Sequence, residues 1–522
     1  MKKNIVKKKE EKKKTPQTIP NNMTLAKDLS HLLSDEAKAR KPSPLKTTIK
    51  YFSDPNMVFL GGGLPLSNYF PWFKISGESP NPPFVNGIGA SKDQQDILNF
   101  EVPRDHCDIT ADEEFSTISL DKALQYGHSQ GHPQINSFFR EHNKIIHKMT
   151  GYEDSDVLTT IGNTWNLEST LRCLCNKGDY ILVEEFAFSS TLAAAEAQGI
   201  KTCPIPMDAD GIIPEKLDEI LANWDEKVLG KFKFLILVAT GSNPKGLSLP
   251  ESRRQQIYEL ACKYDFIIIE DEPYYFLQVG EYVADKEKRV PFDQVESLQS
   301  HDAFVKSLVK SFISIDTEGR VLRFDSLSKV MGPNTRIGWI TGQKNLLDHL
   351  LKYHEVSIQS PSGFSQAIVA KTLNSWGQGG FLDWLMGIRK EYTIKRDFCI
   401  DSLHKHIPKR LFDSGAVTVN PPIAGMFFTI DINAELHPLF ESKFNSDAKQ
   451  LETHIFEAVI KEGVLLVPGA WFEAKDYTVI DKGGKEEFKK TIFFRGTYAA
   501  VGLEKLDLGL QRFAKVLDKE FV

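Results

Sequence analysis

From Asp121 onward, short runs of β-branched and aromatic residues alternate with longer stretches of helical apolar spacing, the pattern of parallel α/β architecture. Val157–Thr160, Asp179–Glu184, Phe234–Val238, Phe266–Tyr275, Val321–Phe324 and Ile337–Thr341 predict buried strands, and Leu167–Leu174 predicts a helix. Helices rich in aromatic residues are expected as far as His406. A tail containing Ala424–Phe428 and Ile492–Gly496 reads as a smaller α+β domain. Between Phe276 and Val321 lies a charged stretch with one apolar segment, Phe304–Ile313, which reads as a surface insertion. Ahead of Asp121, Leu25–Leu33 has helical spacing, ended by Lys41-Pro42-Ser43-Pro44. Gly61, Gly62 and Gly63 follow, and such a run permits close backbone approach to a ligand. The expected division is a disordered lysine-rich tail (1–22), an N-terminal arm sharing in the small domain (23–120), a large domain (121–385) with its insertion at 277–320, and a C-terminal small domain (386–522).

The 522 residues suffice for two packed domains, and a net charge of -6 offers no general attraction to nucleic acid or an anionic membrane. The apolar runs fall short of the roughly 18 residues a membrane span needs. Six scattered cysteines read as reduced thiols, so the cytoplasm is the expected compartment. Cys173 and Cys175 lack zinc spacing, and His128 and His132 lie in a glycine-rich turn, so no metal is implied.

The candidate chemistry gathers where strands end. Lys329 follows Val321–Phe324 among small hydroxyl residues, with Arg336 and Gly338 shortly beyond. Lys329 suits a Schiff base to an aldehyde cofactor; Ser326, Ser328 and Arg336 suit its phosphate, since a guanidinium matches phosphate oxygens two at a time. Ser326-Leu327-Ser328-Lys329 also fits the S-x-x-K pattern of serine acyl-enzymes, but the S-D-N and K-T-G partners are missing. Gly162-Asn163-Thr164, between a strand and a helix, forms an anion site from free backbone N–H groups. This is the chemistry of pyridoxal 5′-phosphate. Its ring nitrogen needs a carboxylate, for which Asp271 fits, while Glu270 and Glu272 point the other way; an Asp271 withdrawn from water argues for a cationic partner. Phe188 offers a flat face to the ring, and Asn243 and Tyr274 suit its oxygen. The freed Lys329 would move a proton between substrate and cofactor. Arg495, between Phe494 and Gly496, suits a substrate α-carboxylate, with Gly62 as a further substrate contact. Arg253 and Arg254 open a polar helix and read as surface residues.

Taken together, Gly162-Asn163-Thr164, Asn243-Pro244-x-Gly246, Asp271-x-Pro273-Tyr274, Ser326-x-Ser328-Lys329, Arg336-x-Gly338 and Arg495 resemble the fold type I, class I pyridoxal-phosphate aminotransferases. Arg40–Pro44, Gly61–Pro65, Ala123–Gly127 and Phe493–Thr497 resemble, more closely, the fungal aromatic aminotransferase I branch, related to kynurenine and α-aminoadipate aminotransferases. The resemblance implies a large domain with a mainly parallel sheet and a smaller α+β domain. It implies transamination of aromatic amino acids, with 2-oxoglutarate or an aromatic oxo acid as acceptor. It further implies a homodimer with active sites at the interface, where Tyr126 matches the tyrosine that reaches the partner's cofactor phosphate. Lys245 departs from the usual N-P-T-G, and Phe188 stands where many relatives have tyrosine. Another pyridoxal reaction, such as β-elimination, is a second reading. A ligand-sensing regulator would need a DNA-binding domain ahead of the motifs, where the chain is too short.

Overall fold

The computed structural model describes residues 24–42, 56, 63–149, 151–484 and 490–522; the lysine-rich tail, Ser43, Pro44, Gly61 and Gly62 lie outside them. Strands β1 (Lys74–Pro80) and β2 (Ile97–Pro103) form an antiparallel hairpin. The large sheet comprises β3 (Ser155–Thr160), β4 (Tyr180–Glu184), β5 (Lys201–Ile205), then, after a two-residue ribbon β6 (Met207–Asp208) and β7 (Gly211–Ile212), β8 (Phe232–Leu237), β9 (Ile267–Asp271), β10 (Val321–Ser326) and β11 (Gly338–Gln343). Their order is β3-β11-β10-β9-β8-β4-β5, and β11 alone runs against the others.

Strand alternation builds two cores from one sheet. Ile181, Val183, Ile236, Ile267, Ile269, Leu322 and Phe324 face one layer of helices, with Cys173 and Cys175 as small apolar fillers. Tyr180, Leu182, Leu235, Leu237, Ile268 and Val321 face the other. With both faces covered, the strands read as continuous apolar runs, which is why they were visible in the sequence. The smaller domain is a second sheet, β12 (Val417–Thr418), β13 (Phe427–Asn433), β14 (Val467–Pro468) and β15 (Thr491–Thr497), ordered β12-β13-β15-β14 with a core of its own. Helix Gly363–His406 links the two and is broken at Gly377, whose φ of 66° and ψ of 178° leave the helical region.

Four expectations need revision. Leu25–Leu33 is not a helix: only Ser30–Leu32 makes a 3₁₀ turn, and the α-helix is Asp35–Ala39. Ser34 sets that start, because its Oγ accepts from Ala37 N at 3.0 Å while its own N and Oγ donate to Cys173 O and Arg172 O. The stretch 277–320, expected as a surface insertion, is divided: the single turns between Lys286 and Leu298 bury nothing, whereas Phe304, Phe312 and Ile313 are core residues. Of the segment 23–120, expected to share in the small domain, the hairpin packs on the long helix, with Phe84 against Trp376 and Trp384 and Trp376 Nε1 donating to Pro80 O at 3.0 Å.

Arg254 is 1% exposed and is no surface residue. Helix Glu251–Tyr264 turns Arg254, Ile257, Tyr258 and Ala261 onto the sheet, the 3.6-residue stripe of a packed helix. Its guanidinium donates to Leu249 O, Ala239 O and Thr240 Oγ1 at 2.9–3.0 Å and stands 3.7 and 3.8 Å from Glu270 and Glu272. Removing one member of a buried ionic cluster costs about 3–5 kcal/mol, so Arg254→Met should lower unfolding free energy in urea by that order. A variant within 1 kcal/mol of wild type, on that scale, would contradict the pairing.

Candidate active site

Strands β3, β4, β8, β9 and β10 all end at one edge of the sheet, and their following residues converge there. Ligands of open α/β sheets bind beyond this edge. A cavity of about 200 Å³ opens at that edge, lined by Asn163, Thr164, Phe188, Asn243, Asp271, Tyr274, Ser326, Ser328, Lys329 and Arg336.

Ser326, Ser328, Arg336 and the start of the helix after Gly162 form a cradle of hydrogen-bond donors. After β10 the chain makes a tight turn, Leu327–Lys329, in which Ser326 Oγ accepts from Ser328 N at 3.1 Å and donates to Ser328 Oγ at 2.8 Å. Gly162 caps helix Asn163–Leu174, and Trp165 N and Asn166 N donate to its carbonyl. The N–H groups of Asn163 and Thr164 therefore have no acceptor within the helix. Arg336 donates to Ile161 O at 2.5 Å and Pro333 O at 3.0 Å. Gly162 has φ +102°, and a Cβ there would meet Arg336 Nη2 at 2.6 Å. Only glycine lets the guanidinium lie against this turn.

At the other end stands Asp271. Asn163 Nδ2 donates to its Oδ1 at 2.7 Å and to Phe324 O at 3.2 Å. Desolvation pushes its carboxyl up to about 6, opposed by the Asn163 bond and assisted by the nearby Asp325. Among the described residues no cation pairs with Asp271, and its hydrogen-bond partner is the neutral amide of Asn163. Glu270 and Glu272, as expected, leave the site, Glu270 accepting from Phe312 N and lying 3.1 Å from Arg323, Glu272 accepting from Thr240 Oγ1. Desolvation also lowers the Lys329 ammonium pKa and raises that of the Tyr274 phenol.

Arg495 enters from β15 in the small domain. Its guanidinium lies between the rings of Phe427 (4.5 Å) and Phe472 (4.6 Å), and Nη1 donates to Asn243 Oδ1 at 2.6 Å. Burial lowers its pKa. Tyr126, 60% exposed, does not line the cavity. Ser190, Thr191, Leu167 and Val238 also line it and were not anticipated; the hydroxyl run Ser189-Ser190-Thr191 directly after Phe188 was the available signal. Glu184, likewise missed, accepts from Val238 N at 3.0 Å, and burial pushes its carboxyl up to about 8. Among the described residues, no group of three His, Cys, Asp or Glu is placed to hold a metal ion.

A family model described as aminotransferase class I and II matches residues 107–513. The chain belongs to this aminotransferase family. It is similar to an aromatic amino acid aminotransferase of Schizosaccharomyces pombe, 38% identical over 95% of this chain and 98% of the relative. It is also similar to the bovine mitochondrial kynurenine/alpha-aminoadipate aminotransferase, 31% identical over 94% and 98%. The crystal structure of aminotransferase Aro8 from Candida albicans superimposes with a TM-score of 0.88 at 48% identity, covering 95% of this chain and 99% of that one.

The donor set fits the group this family implies: a cradle of backbone N–H groups, hydroxyls and a guanidinium for a phosphate, a lysine for an aldehyde, and a carboxylate lacking a cation for a protonated ring nitrogen. The cost of that carboxylate should be measurable in cofactor-free protein. Asp271 ionises near 3.8 unfolded and near 6 folded. Its proton is therefore held more tightly by the folded state, and the stability it lends below pH 3.8 is lost as pH rises to 6. Asp271→Asn should thus be the more stable protein at pH 7.5, by about 3 kcal/mol, with the difference vanishing toward pH 4 in urea titrations. A constant difference across that window would place the carboxylate in an ordinary environment.

Proposed function

We propose that the cavity holds pyridoxal 5′-phosphate and that the protein transaminates aromatic amino acids, with 2-oxoglutarate or an aromatic oxo acid as acceptor. The observation that carries the reading is the presence of Lys329, an unpaired Asp271 and the Ser326–Ser328–Arg336 cradle around one cavity; the aromatic preference is supported by the relatives' names. A preference for α-aminoadipate or kynurenine is the second reading, supported by the bovine relative.

When bound, the cofactor supplies an electron sink for the pair released at the substrate α-carbon. The chain supplies the rest. Asp271 holds the proton on the ring nitrogen, and Asn163 holds Asp271. Asn243 and Tyr274 present donors toward the ring oxygen. Lys329 Nζ, its ammonium form disfavoured by desolvation, would serve as the base that takes the proton from the substrate α-carbon. Arg495 grips the α-carboxylate through the guanidinium edge left free by Asn243. Phe427 and Phe472 cover that guanidinium and hold its orientation.

A homodimer is also proposed. Leu66, Tyr69, Trp72, Phe73, Phe115 and Tyr126 expose large apolar surfaces within one segment of the chain, and such a density in a folded protein marks a surface that is covered. Tyr126 would then donate to the phosphate held by the partner subunit. Tyr126→Phe is expected to weaken cofactor binding about tenfold while the protein still elutes as a dimer; a monomeric wild type contradicts the arrangement.

Absorbance spectra test the central reading. Phenylalanine should shift the visible cofactor band of wild type, 2-oxoglutarate should restore it, and Lys329→Ala should do neither. Absence of any cofactor band in both proteins would sink the assignment. Arg495→Lys should raise KM for both the amino acid and the oxo acid about 10- to 100-fold, the worth of a lost bidentate contact.

A further inference from the structure

The two rings that enclose Arg495 are held very differently. Phe427 lies on β13, which pairs with β15, the strand of Arg495 itself, along its whole length. Phe472 stands on a single 3₁₀ turn, Gly469–Phe472, entered from the two-residue strand β14. A turn so short leaves its first N–H groups without acceptors of its own.

Those donors are met from another element. Glu452, on helix Ala448–Lys461 and only 3% exposed, accepts from Gly469 N at 3.0 Å with one carboxylate oxygen and from Ala470 N at 3.1 Å with the other. Burial raises its pKa, opposed by the N–H groups of Ala470, Gly469 and Phe493. The far end of the turn meets the segment that leads into Phe188: Ala187 N donates to Phe472 O at 2.9 Å, and Ala474 N to Glu185 O at 3.0 Å. Phe186, between them, packs edge-on against Phe493 at 5.0 Å. Glu452 does not line the active-site cavity, so its influence on a substrate passes through the turn.

We propose that Glu452 is a positioning residue for the substrate: by fixing the turn it holds the ring of Phe472 over Arg495 and keeps the guanidinium aimed at the α-carboxylate. This role rests on Arg495 as the carboxylate anchor. The bond from Nη1 to Asn243 fixes one nitrogen, and the plane of the guanidinium is set by the rings at 4.5 and 4.6 Å. With the turn released, Phe472 shifts, and the two-point geometry that makes an arginine–carboxylate pair strong is lost.

Calorimetric titration of 3-phenylpropionate into protein loaded with pyridoxal phosphate tests the role. The probe keeps the carboxylate and ring of phenylalanine and lacks the amine, so it binds without reacting. Arg495→Gln should weaken binding at least about tenfold and Glu452→Gln about fivefold, because the glutamine amide turns a donor toward one of the two backbone N–H groups. Adding Glu452→Gln to Arg495→Gln should cost no more than about twofold further, since both losses run through one interaction. In turnover, Glu452→Gln should raise KM for phenylalanine by the same factor with kcat nearly unchanged; a merely structural loss lowers the amount of folded enzyme, hence kcat, and leaves KM where it was. If Glu452→Gln does not fold, Glu452→Asp, whose carboxylate is one methylene short of the turn, is read in its place. Wild-type affinity in the Glu452 variant with Arg495→Gln still impaired, or losses that multiply in the double variant, overturns the role of Glu452 alone. Wild-type affinity in Arg495→Gln overturns the anchor, and this role with it.

Discussion

Three acids stand in a row at the end of β9, and the sheet treats the middle one differently. Strand alternation sends Glu270 and Glu272 to one side, where Arg254 and Arg323 surround them, and sends Asp271 to the other, where it receives one neutral amide. Charges withdrawn from water are normally paired, and the two glutamates obey that rule. Asp271 does not, and desolvation accordingly holds its proton up to about 6. The arginines show that the chain can place cations at this depth; they lie on the far side of the strand. A deficit confined to the ligand-facing side is the mark of a site awaiting a cation, since structural ion pairs perturb both partners together.

That constraint organises the rest of the edge. Asn163 can reach Asp271 only because Gly162 takes a positive φ and starts the helix immediately after β3. The same turn frees the N–H groups of the cradle and makes room for Arg336. Gly338, opening β11, lies so close to Gly162 that a Cβ would approach its Cα to 2.9 Å. Cradle, carboxylate and lysine are thus set by the ends of neighbouring strands rather than by mobile loops, the arrangement that holds a catalytic set within narrow tolerances.

Most of this was legible in the chain. The strands announced themselves because burial on both faces makes them uniformly apolar, and ten candidate residues line one cavity because strand ends are where an α/β sheet leaves polar groups. What escaped reading depends on facts that are not local. Arg254 opens a polar helix, and its 3.6-residue stripe gains meaning only when the sheet beneath it carries Glu270 and Glu272. Leu25–Leu33 has helical spacing, but Leu29, Leu32 and Leu33 bury against Cys173 and Leu174 while Ser34 caps the next helix. Phe304 sits in charged sequence and is claimed by a guanidinium from a helix eighty residues later in the chain. The neutral partner of Asp271 was unreadable for the same reason: Asn163 was assigned to the phosphate by its place in the turn, and its side chain points to the other end of the cavity.

Lys245 shows how a departure from the family pattern is absorbed. Its ammonium donates to Asp431 at 2.7 Å, with both side chains largely buried, and lies 4.2 Å over the ring of Phe493. Asp431 is on β13 and Phe493 on β15, so the lysine ties the large domain's Asn243–Gly246 turn to both central strands of the small domain's sheet. Arg495 makes a second tie by donating to Asn243, and the contact of Gly241 with Gly425 makes a third. All three fall within a few residues of the turn that carries Asn243. An ion pair shielded from solvent loses little to screening, and the lysine leaves Asn243 to face the cavity because its own reach is directed away, into the small domain.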